Sequence, residues 1–220
     1  MLQKETIKDN TLELLKKLQR EETLSTTRLV GGTALALQIG HRISVDLDLF
    51  SKDPLDINAI EQILTHKFNF SAHFISKGSV RGEIDGIKID ILHHPYEWID
   101  EPVCEEDIIM ASLQDITAMK LNSIIHNGTR PKDFLDVAYL SQYFSYDNMR
   151  SLLVQKYPEY DPILLDRCIN YFDDIETDFV ADIRLVDGRV NFNKVKQRLI
   201  QMTDNPFDKF DNPPSRSREI

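Results

Sequence analysis

The chain has 220 residues, 41% hydrophobic and 28% charged, enough to bury a core as one domain or a domain with an appendage; this excludes a fibrous or wholly disordered protein. Its net charge of -10 excludes a general nucleic-acid coat, so contact with RNA or DNA needs a local basic patch. Cys104 and Cys168 are the only cysteines and lack CxxC spacing, which argues against a disulfide framework or a zinc site. No stretch approaches the ~20 apolar residues of a membrane span or the apolar run of a secretory signal, so no membrane partner and a cytoplasmic location are expected.

In chain order, residues 3 to 20 predict an amphipathic helix with Leu12, Leu15 and Leu18 on its apolar stripe. "TTRLVGGTALALQIG" predicts a short strand, a glycine turn and a helix over Thr33 to Ile39. "ISVDLDLF" predicts a strand, and "DINAIEQILTHKF" a helix with Asp56 as its N-cap. "FSAHFIS" is strand-like. "SVRGEI" and "IKIDILHH" follow, joined at Asp85-Gly86, a strong hairpin signal. "PYEWIDEPVCEED" is expected to be a loop. "SLQDITAMKLNSIIHNG" predicts a helix opened by a Ser112/Asp115 capping box and ended by Gly128. Pro131 suits the first position of a second helix, "KDFLDVAYLSQYF". Further helices are expected over roughly 147 to 172 and 191 to 202. The polar, proline-rich tail from residue 206 to 220 is expected to be disordered. The fold class is therefore α+β: a mixed-sheet core over 1–110, a helical part over 111–205, then the tail.

Side chains alternate along a strand, so Asp46 and Asp48 are expected on one face with Ser44 and Phe50, while Val45, Leu47 and Leu49 pack inward. Two carboxylates so placed need a cation, and Mg²⁺ shared with substrate phosphates suits them. Asp90 has the same apolar flanks in "IKIDIL"; on a neighbouring strand it would complete a metal site for in-line phosphoryl or nucleotidyl displacement. A solvated strand face is the competing explanation. Gly31, Gly32 and Thr33 lie where a strand turns into a helix, a place suited to phosphate and equally to a plain tight turn. Arg42 and Ser44 could contact phosphate or hold the loop. Lys120 could reach a triphosphate, and Asp133 and Asp136 share a helix face; an interhelix salt bridge or helix capping is the alternative. His93 and His94 point opposite ways and suit a polar strand end. Tyr96 and Trp98 suit loop anchors or a stacked base.

Gly-Gly, a helix, Asp-x-Asp on a strand and a third Asp on a later strand form the order found in the nucleotidyltransferase superfamily of DNA polymerase β. The blocks "GGTALALQIGHRISVDLDLF", "GIKIDILHHPY" and "ASLQDITAMKLNSIIHNGTRPKDFLDVAYL" together resemble the AbiEii/AbiGii toxin family of nucleotidyltransferases. The resemblance implies a nucleotidyltransferase-like mixed sheet with flanking helices and transfer of a nucleoside monophosphate from an NTP to a tRNA or protein hydroxyl. It also implies a toxin of the abortive-infection kind with a cognate antitoxin. On this resemblance Asp46, Asp48 and Asp90 hold Mg²⁺, and Gly31, Gly32, Thr33, Arg42 and Ser44 bind nucleotide. Lys120, Asp133 and Asp136 belong to the active site, completed by the helical part. Asn127 stands where the family commonly has an arginine, with Arg130 beyond the glycine. Arg28, Arg42, Arg130 and Lys132 are candidates for a local tRNA-binding patch. The alternative is a catalytically silent nucleotide- or partner-binding module.

Overall fold

The computed structural model describes residues 1–214. The chain divides into two compact units, the first Met1–Ser112 and the second beginning at Leu113.

The first unit is a seven-stranded mixed sheet with helices. Its elements are α1 (Asp9–Gln19), β1 (Arg28–Val30), α2 (Gly31–Ile39), β2 (Leu47–Ser51), α3 (Ile57–Phe68), β3 (Ser71–Ser76), β4 (Ser79–Ile84), β5 (Ile87–His93), β6 (Val103–Glu105) and β7 (Ile108–Met110). The strand order is β3-β4-β5-β2-β1-β7-β6. β2 runs parallel to β5 and β1 parallel to β7; the other pairs are antiparallel. Period-two alternation builds the core. Leu47, Leu49, Ile89 and Ile91 are fully buried, whereas Asp48 and Asp90 between them are only half-buried. The Asp85-Gly86 turn has both central residues at positive φ, as a two-residue hairpin with the right twist requires. Asp56 caps α3 by accepting from the Ala59 N–H at 3.0 Å.

Four local expectations are corrected. The N-terminal helix is a short 3-10 turn, Lys4–Thr6, followed by α1, whose buried leucines are Leu14, Leu15 and Leu18, not Leu12. The expected strand from Ile43 begins only at Leu47, because the chain before it is tied elsewhere: the Ser44 N–H donates to the Thr6 carbonyl at 2.8 Å. Alternation therefore fails there. Val45 is 44% exposed and Ser44 is buried, the reverse of the expected faces. The loop after Pro95 contains the β6–β7 hairpin, turning at Glu106-Asp107 with both residues at positive φ, a turn without glycine that gave no sequence signal.

The second unit is helical. It comprises α4 (Leu113–His126), α5 (Pro131–Leu140), α6 (Tyr146–Lys156), α7 (Pro162–Cys168), a two-stranded ribbon of β8 (Arg184–Leu185) and β9 (Gly188–Arg189), and α8 (Phe192–Asp204). Pro131 is the first residue of α5. Asp115, in the first turn of α4, is fully buried and ion-pairs with the equally buried Lys156 of α6 at 2.7 Å. The tail, expected to be disordered, is docked over 206–214. The Pro206 carbonyl accepts from the Asp147 N–H at 2.8 Å, and the Phe210 N–H donates to the Ser141 carbonyl at 3.1 Å. Arg198 lies over the Phe210 ring at 4.4 Å and donates to the Asn212 carbonyl at 2.8 Å. Arg198 of α8 and the backbone groups of Ser141 and Asp147 thus offset the cost of ordering a polar segment. Residues 215–220 lie outside the described residues. Among the described residues no helix is long and apolar enough to cross a membrane.

Phe210→Ala removes the ring from the Arg198 guanidinium. Urea denaturation should show a loss of about 1 kcal/mol, the usual size of a partly buried cation–π contact; an unchanged midpoint would mean that the tail is not held by this contact.

Candidate active site

In the first unit the backbone register assembles the candidate site. Parallel pairing sets Asp48 of β2 directly opposite Asp90 of β5. Antiparallel pairing sets Val30 of β1 opposite Asp48, and Arg81 of β4 opposite Asp90. Directly paired residues share a face, so Asp48 and Asp90 project from the same side, with strands ~4.8 Å apart. Arg81 Nε stands 3.7 Å from Asp90 Oδ2, with both side chains about half exposed.

Gly31 follows Val30 and opens α2 at φ +69°, a conformation that L side chains rarely adopt. A Cβ there would collide with the Asp48 carboxylate, so the missing side chain lets that carboxylate lie against the backbone. A Cβ on Gly32 would collide with the Arg42 guanidinium. The N-cap of α2 is Val30, whose side chain has no acceptor to offer the first-turn N–H groups. These groups, with the positive end of the helix dipole, suit an anion.

Thr33 and Ser44 serve the scaffold. Both are buried, and Thr33 Oγ1 donates to the Asp46 carbonyl and is hydrogen-bonded with Ser44 Oγ at 2.9 Å. This ties the first turn of α2 to the chain entering β2. Arg42 is only 3% exposed, sits against Gly32 and donates from Nη1 to the Ile43 carbonyl at 3.2 Å; of its two expected roles the geometry shows loop-holding. Asp46 precedes β2, so strand alternation does not set its direction, although it lies two residues before Asp48 and is half-buried. Among the described residues no group of three or more His, Cys, Asp or Glu converges as a metal site. The carboxylates that the register brings side by side are Asp48 and Asp90, with Asp46 two residues before Asp48 in the chain. Two hard carboxylate donors fit Mg²⁺, which commonly takes one or two protein carboxylates and completes its shell with water and phosphate oxygens.

The flanking aromatics anchor their loop. The Arg28 guanidinium lies over the Trp98 ring at 4.5 Å and donates to the Asp100 carbonyl at 2.8 Å. His94 contacts Phe50 and Tyr96, with ring centroids 5.6 and 4.8 Å apart. His93 Nε2 is 3.2 Å from the Lys52 carbonyl, a polar strand end. Arg28 and Arg42 are thus both engaged within the fold.

In the second unit Lys120 of α4 is only 7% exposed. Its ammonium is 2.7 Å from Asp133 Oδ1 and 2.7 Å from Asp136 Oδ2, both on α5 and both buried. Arg130 Nε approaches Asp133 Oδ2 at 3.8 Å from the solvent side. This is the interhelix ion pairing that the sequence left as an alternative.

The sequence pattern of the nucleotidyl transferase AbiEii toxin family, a type IV toxin–antitoxin system, matches residues 13–212. The chain belongs to this family. Membership makes it a nucleotidyltransferase. An uncharacterised Aquifex aeolicus (strain VF5) protein is 28% identical over 183 residues, covering 80% of this chain and 88% of that protein. A crystal structure of an H. pylori protein described as a nucleotidyltransferase aligns with TM-score 0.52 and 17% identity, covering 90% of this chain and 95% of that one. A second, JHP933 from Helicobacter pylori, aligns with TM-score 0.45 and 16% identity over 90% of this chain and 97% of that one. The first of these likenesses bears on the fold, and the mixed sheet with flanking helices agrees with it.

Within this AbiEii-family core, Arg81 belongs to no recognisable motif, yet the sequence held a signal for it. A two-residue turn at Asp85-Gly86 pairs Ile84 with Ile87, and counting back places Arg81 opposite Asp90.

Two substitutions test these assignments. Gly31→Ala imposes a strained φ and a clash with the Asp48 carboxylate, and chemical denaturation should show a loss of roughly 1–3 kcal/mol. Lys120→Met leaves two buried carboxylates without their ammonium and should cost roughly 3–5 kcal/mol; a midpoint equal to wild type would mean that Lys120 does not hold α4 to α5.

Proposed function

We propose that the first unit carries nucleotidyl transfer from an NTP to a hydroxyl on RNA or protein, and that the chain is the toxin of an abortive-infection pair with a cognate antitoxin, acting in the cytoplasm. The observation that carries this reading is the placement of Asp48 opposite Asp90 with the side-chain-free backbone of Gly31 beneath Asp48. Asp48 and Asp90, with Asp46 beside them, are the residues that would hold Mg²⁺. When bound, the ion neutralises phosphate charge and polarises the α-phosphorus.

The chain's own residues supply the rest. The first-turn N–H groups of α2, where Gly31 and Gly32 carry no side chain of their own, receive the β- and γ-phosphates. Thr33, Ser44 and Arg42 fix the turn that presents them. The acceptor oxygen forms a bond to the α-phosphorus while the bond from that phosphorus to its bridging oxygen breaks. Pyrophosphate leaves with that electron pair. The hydroxyl proton passes to the Asp90 carboxylate, which in its exposed position returns it to water. In the second unit, Lys120 bridges Asp133 and Asp136 and so ties α4 to α5.

The test is label position. With Mg²⁺ and cell extract, NTP labelled at the α-phosphorus should label a macromolecule, and Asp48→Asn should reduce transfer at least a hundredfold while the protein stays folded. Expression should slow growth in an Asp48-dependent manner. Transfer from the γ-position only would contradict the proposal, and so would full activity in Asp48→Asn.

A further inference from the structure

One row of side chains crosses the sheet at a single register. From β1 outward it reads Val30, Asp48, Asp90, Arg81, Phe74. Paired residues share a face, so Arg81 and Phe74 stand on the same side as the two carboxylates. A register shift between Ala72 and Phe74 is what brings Phe74 opposite Arg81. Phe74 is 55% exposed, and every residue of β3 is exposed. An aromatic ring held open beside a half-exposed guanidinium gains nothing from core packing.

The direction of the row gives it meaning. The phosphate-receiving turn, Gly31-Gly32, lies at the β1 end. In-line displacement puts the attacking oxygen on the side of the α-phosphorus opposite the departing pyrophosphate. The acceptor therefore approaches from the β5–β4–β3 end, over Asp90. The residues it meets there are Arg81, one strand beyond, and Phe74, two strands beyond, within ~10 Å at the usual strand spacing. Charge favours the same occupant. The stretch 71–93 carries three cations (Lys77, Arg81, Lys88) against three carboxylates (Glu83, Asp85, Asp90), in a chain with 26 cations against 36 carboxylates. This edge is therefore charge-balanced where the chain as a whole is acidic, which lowers the electrostatic cost of bringing a phosphate backbone to it.

We propose that Arg81 and Phe74 form the acceptor subsite and that the acceptor is the single-stranded end of a nucleic acid. Arg81 contacts a backbone phosphate near the reacting hydroxyl, and Phe74 stacks an unpaired base, an arrangement tolerant of sequence. This rests on the transfer reading above, because the approach direction comes from in-line displacement.

The experiment uses the full chain and a fluorescein-labelled, mixed-sequence single-stranded oligoribonucleotide with a free 3′-hydroxyl, followed by anisotropy without NTP. Phe74→Ala and Arg81→Ala should each weaken binding about tenfold. Phe74→Trp should restore it, and Arg81→Ala should also lower the slope of log affinity against log salt by about one. In transfer assays Phe74→Ala should raise the acceptor KM and leave the NTP KM unchanged, a split that general misfolding does not produce. Oligoribonucleotide binding equal to wild type in both variants would overturn the subsite. So would wild-type transfer of α-label to protein without oligoribonucleotide binding, an outcome that leaves the transfer reading standing. Absence of α-label transfer to any acceptor would instead remove the transfer reading, and the acceptor role with it, even where the oligoribonucleotide binds.

Discussion

Parallel pairing of β2 with β5 at the Asp48–Asp90 register is the constraint on which the first unit's chemistry depends. Two carboxylates on one face of adjacent strands repel by an amount on the order of a few kcal/mol at protein-like dielectric, and directly opposed like charges destabilise a sheet. The fold keeps them there and compensates on both sides. Toward β4, Arg81 offers a loose ion pair to Asp90. Toward β1, the chain gives up a side chain at Gly31 so that the Asp48 carboxylate can lie against the start of α2. Its hydrophobic neighbours Leu47, Leu49, Ile89 and Ile91 are fully buried and lock the register, because a one-residue slip of either strand would turn that strand's two buried side chains to solvent and its aspartate inward. A site that is unfavourable when empty of positive charge is one prepared to receive it.

The second unit spends its buried charge differently. Asp115 with Lys156, and Lys120 with Asp133 and Asp136, are closed ion pairs at 2.7 Å linking α4 to α6 and α4 to α5. Buried pairs of this kind add little net stability over apolar packing, but removing one partner is severe, so they specify which helix faces meet. One strand face thus holds charge open toward solvent, while the α4 interfaces hold it shut.

Much of the first unit was legible in the sequence because its signals are local and physical. Alternation marked β2, β4 and β5, Asp85-Gly86 fixed a hairpin, and Asp56 marked a helix start, as Pro131 did in the second unit. The sequence paired Asp46 with Asp48 and added Asp90 from its similar apolar flanks; the register sets Asp48 opposite Asp90, while Asp46 lies before β2. Illegible features were those set by tertiary contacts. Ser44 looked like a strand residue until its backbone bonded to Thr6. Arg42 could have contacted phosphate or held the loop, and only the fold shows it buried against Gly32. The Glu106-Asp107 turn adopts positive φ with no glycine to announce it, and the tail docks on α8 through Arg198, a partner that composition cannot reveal. Motif matching also passed over Arg81, although the hairpin turn placed it.

The central claim is that Asp48 and Asp90 share one divalent cation. Fe²⁺ substituted for Mg²⁺, with ascorbate and peroxide, generates radicals that cut the backbone only close to the bound metal. Mass spectrometry of the fragments should show cuts clustered near residues 31, 48 and 90 that excess Mg²⁺ suppresses. Cleavage confined to other segments, or cuts at 48 without cuts at 90, would contradict the account.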